Sequence, residues 1–467
     1  MYVANDVTHD SRVRREAASL ARAGHCVTIV ATAAPDQVGR PSEDVDGFRI
    51  IRVPWRRDTA WWVTWVHRPW VLVGSGLRSV RQGLRAGPAA WPSALGTLLG
   101  LAASGPWIVV RGAWYTIFSK RRGRASSLGG LLYVRKWQAE ILPWCRTAVS
   151  AAPRADVHHA HDMEALPAAR EAARRDGTPY VYDSHEIFIA WGAVLRLPVL
   201  VRWAFALWER RMARDAAALV TVNRSIAEVL EQTLHPRRVV VVRNCPPRWQ
   251  PRPGSPDRLR EPLGLPAGTP IALYHGGFGR HRGLEQLAAA LREPGLEAVH
   301  AVYLGYGALE PELRAAAADP ATGGRLHVLP AVPPEDLLAT IAPADVAVMA
   351  IQPDTLNHRL STPNKLFEAI AAGVPVVASD FVAIREVVDD PAGPLGVLVD
   401  PTDPAAIAAG IRAILEAPPE DRRALRARCL AAAHRRWNWE TESVALVELY
   451  ADLATGTTPP SPGPVAG

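Results

Sequence analysis

Glu368 stands in the first turn of an otherwise apolar helix, within STPNKLFEAIAAGVPVVASD, residues 361–380. Lys365 precedes it by three positions, with Asn364 and Thr362 just before. A carboxylate near a helix N-terminus is favoured by the helix dipole. An i,i+3 pair with Lys365 would add only tenths of a kcal/mol. Those two effects would suffice on a surface helix. Here a Gly-Val-Pro turn and the apolar run Val374–Ala378 follow at once. The helix therefore lies on a buried sheet, with its N-terminus at the sheet edge. Helix N-termini collect phosphates, and a carboxylate accepts from paired sugar hydroxyls. These residue types suit the binding of a phosphorylated sugar.

Other positions carry chemistry at the ends of apolar runs. LYHGGFGRHRGLEQL, residues 273–287, places Gly276 and Gly277 after a strand and Arg280 and Arg282 before a helix. Paired glycines let a ligand approach the backbone closely. LGYG offers Gly305 and Gly307 but lacks the full dinucleotide fingerprint, which disfavours NAD. VYDSHEIF puts His185 and Glu186 just past a strand, and HHAHDME puts His161 and Asp162 past another. Histidines adjacent on a strand point to opposite faces, and no third ligand is evident. An acceptor-pocket role for His161 and Asp162 is preferred to a metal. Asp44-Val45-Asp46 is a DxD, but it precedes Gly47 and a strand, so it reads as a turn.

The elements that hold these positions alternate. Apolar runs at 1–4, 26–31, 48–53, 156–160, 180–182, 219–222 and 239–242 read as strands, with helices at 11–23 and 202–217. After a Pro/Arg/Gly-rich linker, 246–268, the pattern restarts as six βα repeats from Ile271 to Glu416. Continuous apolar strands between helices mean parallel sheets covered on both faces. The fold class is α/β, with two Rossmann-like domains, over 1–250 and 251–433. A last helix over 434–455 is expected to cross back to the first domain, and the Pro/Gly-rich tail 456–467 to be disordered. Ligands bind at the carboxyl ends of such strands, between the domains.

PNKLFEAIAAGVPVVASD resembles the donor-binding segment of family 4 glycosyltransferases, retaining enzymes of group 1 type with two facing Rossmann-like domains, the GT-B fold. The resemblance spans about 1–55 and 150–455 and implies roles residue by residue. Glu368 matches the glutamate that contacts the ribose of a nucleotide sugar. A partner glutamate eight positions earlier would fall on Leu360, which cannot replace it. Asn364 and Lys365, with Thr362 beside them, would lie near the diphosphate. Arg282 matches the basic residue that neutralises it, and Arg280 is its neighbour. Gly276, Gly277, Gly305 and Gly307 would line the nucleotide pocket, with backbone near Val332 at the base. His185 matches the histidine aimed at the donor sugar. NDVTHDSRVRRE resembles the family's opening and makes Asp10 and Arg12, with Glu186, candidates for acceptor binding. No metal and no cofactor is implied.

Composition bounds the setting. The chain has 467 residues and a formal charge of +7. Its four cysteines are scattered, which fits a reducing compartment. No signal peptide is visible near residue 1. Residues 52–136 hold fourteen Lys/Arg against one acid, Asp58, and eight of the sixteen tryptophans. Trp and Arg together suit a membrane–water interface. The stretch 56–149 is therefore expected to be a basic, Trp-rich, membrane-proximal insertion. Pro88, Pro92 and Pro106 interrupt the uncharged run 86–110 as a span. No nucleic-acid motif accompanies the charge.

The expected activity is transfer of a sugar from a nucleoside diphosphate to an acceptor hydroxyl with retention. The acceptor would be a lipid-linked or cell-surface glycan precursor at the cytoplasmic face of the membrane. Alternatives are a GT-B nucleotide-sugar epimerase or hydrolase, or a non-catalytic membrane-bound partner protein.

Overall fold

A computed structural model of the chain describes residues 1–8, 10–33, 42–54, 127–252 and 254–456. Most of the stretch expected to be an insertion, 55–126, and the tail from 457 lie outside them.

The first sheet has eight strands in the order β3-β4-β2-β1-β5-β6-β7-β8. They are β1 (Tyr2–Val3), β2 (Thr28–Ala33), β3 (Ser42–Val45), β4 (Phe48–Pro54), β5 (His158–His161), β6 (Tyr180–Ser184), β7 (Ala218–Thr221) and β8 (Val239–Val241). All neighbours are parallel except β3 and β4. Asp46 and Gly47 both have positive φ, 51° and 84°, and close a two-residue hairpin. The DxD thus straddles an edge strand and its turn, and Asp44 pairs with Arg49 at 3.0 Å. Around the sheet lie α1 (Ser11–Arg22), α2 (Ser127–Lys136), α3 (Leu142–Ala151), α4 (Asp162–Asp176), α5 (Gly192–Leu195), α6 (Val199–Asp215) and α7 (Arg224–Leu234).

α2 and α3, joined by the π-helical turn Trp137–Ile141, pack into the first domain's core. Trp137, Ile141 and Trp144 are each at most 2% exposed. The last part of the expected insertion is therefore core, not a peripheral element. Apolar area, not charge, decides its place.

The second sheet has six parallel strands, β11-β10-β9-β12-β13-β14. They are β9 (Ile271–Gly277), β10 (His300–Tyr306), β11 (Leu326–Pro330), β12 (Val346–Met349), β13 (Val376–Ser379) and β14 (Gly396–Val399). Its helices are α8 (Leu284–Ala290), α9 (Glu310–Ala318), α10 (Pro334–Ile341), α11 (Leu356–Leu360), α12 (Asn364–Ala371), α13 (Val382–Val388), α14 (Pro404–Leu415) and α15 (Pro419–Arg435). Two apolar clusters cover the two faces of this sheet, as wholly buried strands require.

The final helix, α16 (Trp439–Thr455), returns to the first domain. Its Trp439, Leu446, Leu449 and Tyr450 pack with Leu20, Val181, Val220 and Val240. Among the described residues, no helix is long and apolar enough to cross a membrane. All four cysteines are free.

Candidate functional site

Strand order reverses between β9 and β12, and a crevice opens there at the strand ends. β9 and β10 run in register to their tips, with Gly276 opposite Gly305 and Gly277 opposite Tyr306. A Cβ on Gly305 would lie 2.0 Å from the Gly276 carbonyl oxygen, and one on Gly307 2.5 Å from that of Phe278. Only glycine permits this contact, so the loops close into a shared backbone floor.

α12 aims its N-terminus at that floor. Lys365 is 8% exposed and its Nζ lies 3.5 Å from the centroid of the Tyr274 ring. The same Nζ would meet a Cβ on Gly276 at 3.7 Å. Among the described residues Lys365 has no ion-pair partner. Burial, reinforced by Arg282, pushes its amine well below the ordinary lysine range. Glu368, one turn on, accepts from or shares a proton with His275 Nε2 at 3.1 Å. Asn364 is the first residue of α12 and is exposed. Thr362 is turned the other way, and its hydroxyl accepts from Asn223 Nδ2 of the first domain at 3.1 Å. Val332 follows β11 at the same sheet edge and is half-buried.

The neighbouring cleft, of about 870 Å³, is lined by Arg280, His281, Glu285 and Asp354 of the second domain and Arg196 of the first. It opens beside the loop that carries Arg282 and does not include Lys365 or Glu368. It is an open mouth beside the glycine floor.

The first domain faces this with His185. Its Nε2 lies 3.0 Å from Asp183 and its Nδ1 3.2 Å from Asp162. Asp162 also accepts from the His185 backbone N–H at 3.2 Å. Burial opposes the imidazolium, but the two carboxylates outweigh it and hold His185 well above the usual histidine range. Asp162 has φ 61°, and Val7 and His281, at two other strand-to-helix loops, have φ 62° and 63°. Backbone strain of this kind gathers where a site over-determines the chain. Glu186 is exposed on one side and lies 3.4 Å from Asn357 Nδ2; the protein packed around its other side, and then Asp162, raise its carboxyl.

Two expected acceptor contacts are corrected. Arg12 is 3% exposed and points under the cleft floor. It donates to both oxygens of Asp183, at 3.0 and 2.9 Å, and to the Val242 carbonyl at 2.6 Å. His161 is 1% exposed and gives Nδ1 to Asp183 at 3.1 Å. An acceptor cannot reach either. Asp10 caps α1 by accepting from Val13 N at 3.1 Å and binds Asn5, so its carboxylate is already engaged.

Asp183 is the anchor that motif reading missed. Its signal was the alternation in YDSH, since Asp183 and His185 share a face. Asp183 Oδ2 meets Arg12, His161 and His185 together. Glu16, His159, His161 and Asp183 also bring ligand-type atoms within 4.8 Å of one another. The Arg12 guanidinium already stands 3.0 Å from Glu16 and 2.9 Å from Asp183. That charge fills the cation's place, and burial raises Glu16 toward its neutral form. The cluster fits a charge-compensated support better than a metal.

The domains touch through polar pairs. Asn357 of α11 accepts from Ile187 N at 2.8 Å and donates to Ile187 O at 3.1 Å. Asn223 donates to Leu360 O at 2.8 Å. The Leu360 side chain packs against the first domain's core. The position that resembled a lost glutamate is thus an apolar seal between domains.

Residues 9–245 match the glycosyl transferase 4-like domain, and residues 269–417 match the glycosyl transferases group 1 family. A D-inositol 3-phosphate glycosyltransferase of Xylanimonas cellulosilytica is 36% identical over 197 residues, 41% of this chain and 45% of that protein. The chain thus spans less than half the length of that relative. A glycogen synthase of Mycobacterium tuberculosis is 27% identical over 321 residues, 66% of this chain and 72% of that protein. Sucrose-phosphate synthase from Thermosynechococcus elongatus shares the fold with a TM-score of 0.62 and 17% identity, over 95% of this chain and 93% of that one. Anabaena HepE, solved in complex with UDP and glucose, aligns with a TM-score of 0.55 and 19% identity over 68% and 83%. With two parallel α/β domains facing across a cleft, the chain belongs to the group 1, family 4 glycosyltransferases of GT-B fold.

Proposed function

We propose that the protein transfers a sugar from a nucleoside diphosphate sugar to an acceptor hydroxyl, with retention, on a lipid-linked or cell-surface glycan precursor. One observation carries this reading. Among the described residues Lys365 is buried with no ion-pair partner, one turn before a carboxylate fixed by His275, over a glycine floor. A buried amine with no partner is costly. A diphosphate on Gly276, Gly277, Gly305 and Gly307 would supply the missing charge. Arg282 and Lys365 provide the cations, so the reading requires no metal.

Glu368 then accepts from the ribose hydroxyls, with Asn364 at the phosphate and Val332 toward the base. As the leaving diphosphate departs, cations and helix dipole placed beforehand stabilise its charge. The sugar gains oxocarbenium character, and the departing oxygen takes the acceptor's proton on the same face. His185 faces the sugar, with Asp162 and Glu186 on the acceptor side. Domain closure excludes water and limits hydrolysis. The setting proposed is the inner face of the cell membrane.

A thermal-shift panel of UDP-, GDP-, ADP- and TDP-sugars tests the reading. At least one should raise the melting temperature of the parent protein, and clearly less that of Glu368→Ala. No shift with any of them would overturn it.

A further inference from the structure

The described residues leave a run of large apolar side chains exposed, beginning six positions after His185 and centred on one side of α6. Trp191, Leu195, Val199, Leu200, Trp203 and Leu207 are exposed by 41, 40, 67, 79, 63 and 44%. Monomers seldom expose such a contiguous set without use. At 100° per residue, Val199, Leu200, Trp203 and Leu207 share one side of α6, and Phe205, Glu209, Met212 and Ala213 face the core. The same outer side continues into Arg210, Arg211 and Arg214. Arg196 stands at the other end, on the cleft mouth.

Between residues 191 and 214 the single acid is Glu209, which is buried and accepts from the Tyr182 hydroxyl at 2.9 Å. None of Arg196, Arg210, Arg211 and Arg214 has an ion-pair partner among the described residues. Exposed indole and leucine rimmed by free arginines is the composition of an interfacial helix. Charge decides what covers it. Residues 52–136 carry fourteen basic groups and one acid, so that segment would add like charge to the rim. A second copy would bring the same arginines. An anionic lipid surface satisfies both the apolar centre and the rim.

We infer that the α5–α6 face docks on anionic membrane, with the tryptophans at headgroup depth. This deepens the membrane part of the proposed function and rests on that reading only for its purpose, not for its chemistry. Trp191 is within about 21 Å of His185 along the chain. Docking would thus hold the cleft mouth near the bilayer, where a lipid-linked acceptor presents its hydroxyl.

Flotation of the full chain with phosphatidylcholine vesicles, with and without phosphatidylglycerol, tests this with no sugar present. The parent should float with anionic vesicles and little with neutral ones. Leu200→Ser/Trp203→Ser should lower the bound fraction at least about tenfold. Arg210→Gln/Arg211→Gln should weaken binding by about fivefold per arginine. Leu200, Trp203 and Arg211 are exposed and Arg210 is half-buried, and an unchanged melting temperature confirms folding. Hydrogen exchange of 199–207 should slow with anionic vesicles. Undiminished flotation of Leu200→Ser/Trp203→Ser, or exchange unaltered by vesicles, would overturn the inference. Self-association without lipid that the same variant abolishes would overturn it in favour of a second copy. Thermal shifts by nucleotide sugars should persist in both variants, which separates failure here from failure of the donor reading.

Discussion

His275 Nε2 lies 3.1 Å from Glu368 Oε2, linking the end of β9 to the second turn of α12. The pair fixes the carboxylate before a ligand arrives. Glu368→Ala should remove the proposed charge-assisted hydrogen bonds to a nucleotide, worth about 1.5–3 kcal/mol, or roughly 10–100-fold in Kd. His275→Ala leaves the carboxylate unheld and should cost about 1 kcal/mol. Calorimetric titration with the nucleotide found by thermal shift checks both. Equal affinity for Glu368→Ala and the parent would remove Glu368 from the site.

Lys365 should take up a proton when the diphosphate binds. Its free-state pKa is lowered well below the ordinary lysine value by burial and by Arg282, so the free amine binds its proton less tightly. A bound anion favours the ammonium and raises that pKa. The sign is uptake, growing as pH rises above the free-state pKa. Calorimetry in buffers of different ionisation enthalpy measures it. Lys365→Met should lose both the uptake and most of the affinity, and proton release on binding would contradict the assignment.

The alkaline limit of activity should follow His185. Its folded pKa is raised above the ordinary value by Asp162 and Asp183. The imidazolium's contribution is therefore complete below about pH 6.5 and is lost as pH rises through the raised pKa. Asp162→Asn removes one of the two carboxylates. The alkaline limb of kcat/KM should move down by about 1 unit or more. A profile that does not move would free His185 from this role.

Domain closure should depend on Asn357. Asn357→Ala removes both bonds to Ile187. Closure should weaken by about 1–3 kcal/mol, seen as a larger radius of gyration in solution scattering and a lower kcat/KM. Leu360→Glu should not restore a donor contact. It should destabilise the closed form, since it sets a carboxylate against the first domain's core.

The second domain was legible in sequence because its strands are continuous apolar runs between helices. Pro334–Ile341, Val382–Val388 and Gly396–Val399 lie where the pattern puts them. The edge strand Ser42–Val45 is polar on both faces, and no periodicity marks it. α4 begins inside HHAHDME, where histidines drew notice as chemistry and the helix was overlooked. At the site, Lys365, Glu368 and Gly276 converge because each ends or opens a predicted element. Burial did not show: Arg12 and His161 read as cleft residues and lie under its floor. Asp183, His275 and Asn357 matter through partners remote in sequence, which one chain without its fold does not display.

The chain crosses between the domains twice, and the crossings are tied side by side. Trp439 N donates to the Pro246 carbonyl at 2.9 Å, and Trp439 Nε1 to Ser19 Oγ at 2.8 Å. Two adjacent strands of backbone act as a hinge pin with two leaves. A pin of this kind would leave swinging about its line as the easy motion and oppose twisting or sliding. Opening and closing then reduce to one angular coordinate. Such a pin would bring residues on opposite lips, such as Asn357 and Ile187, back to the same register each time the domains close. Loosening Pro246 or Trp439 would blur that arc before it disturbed any residue that touches a sugar.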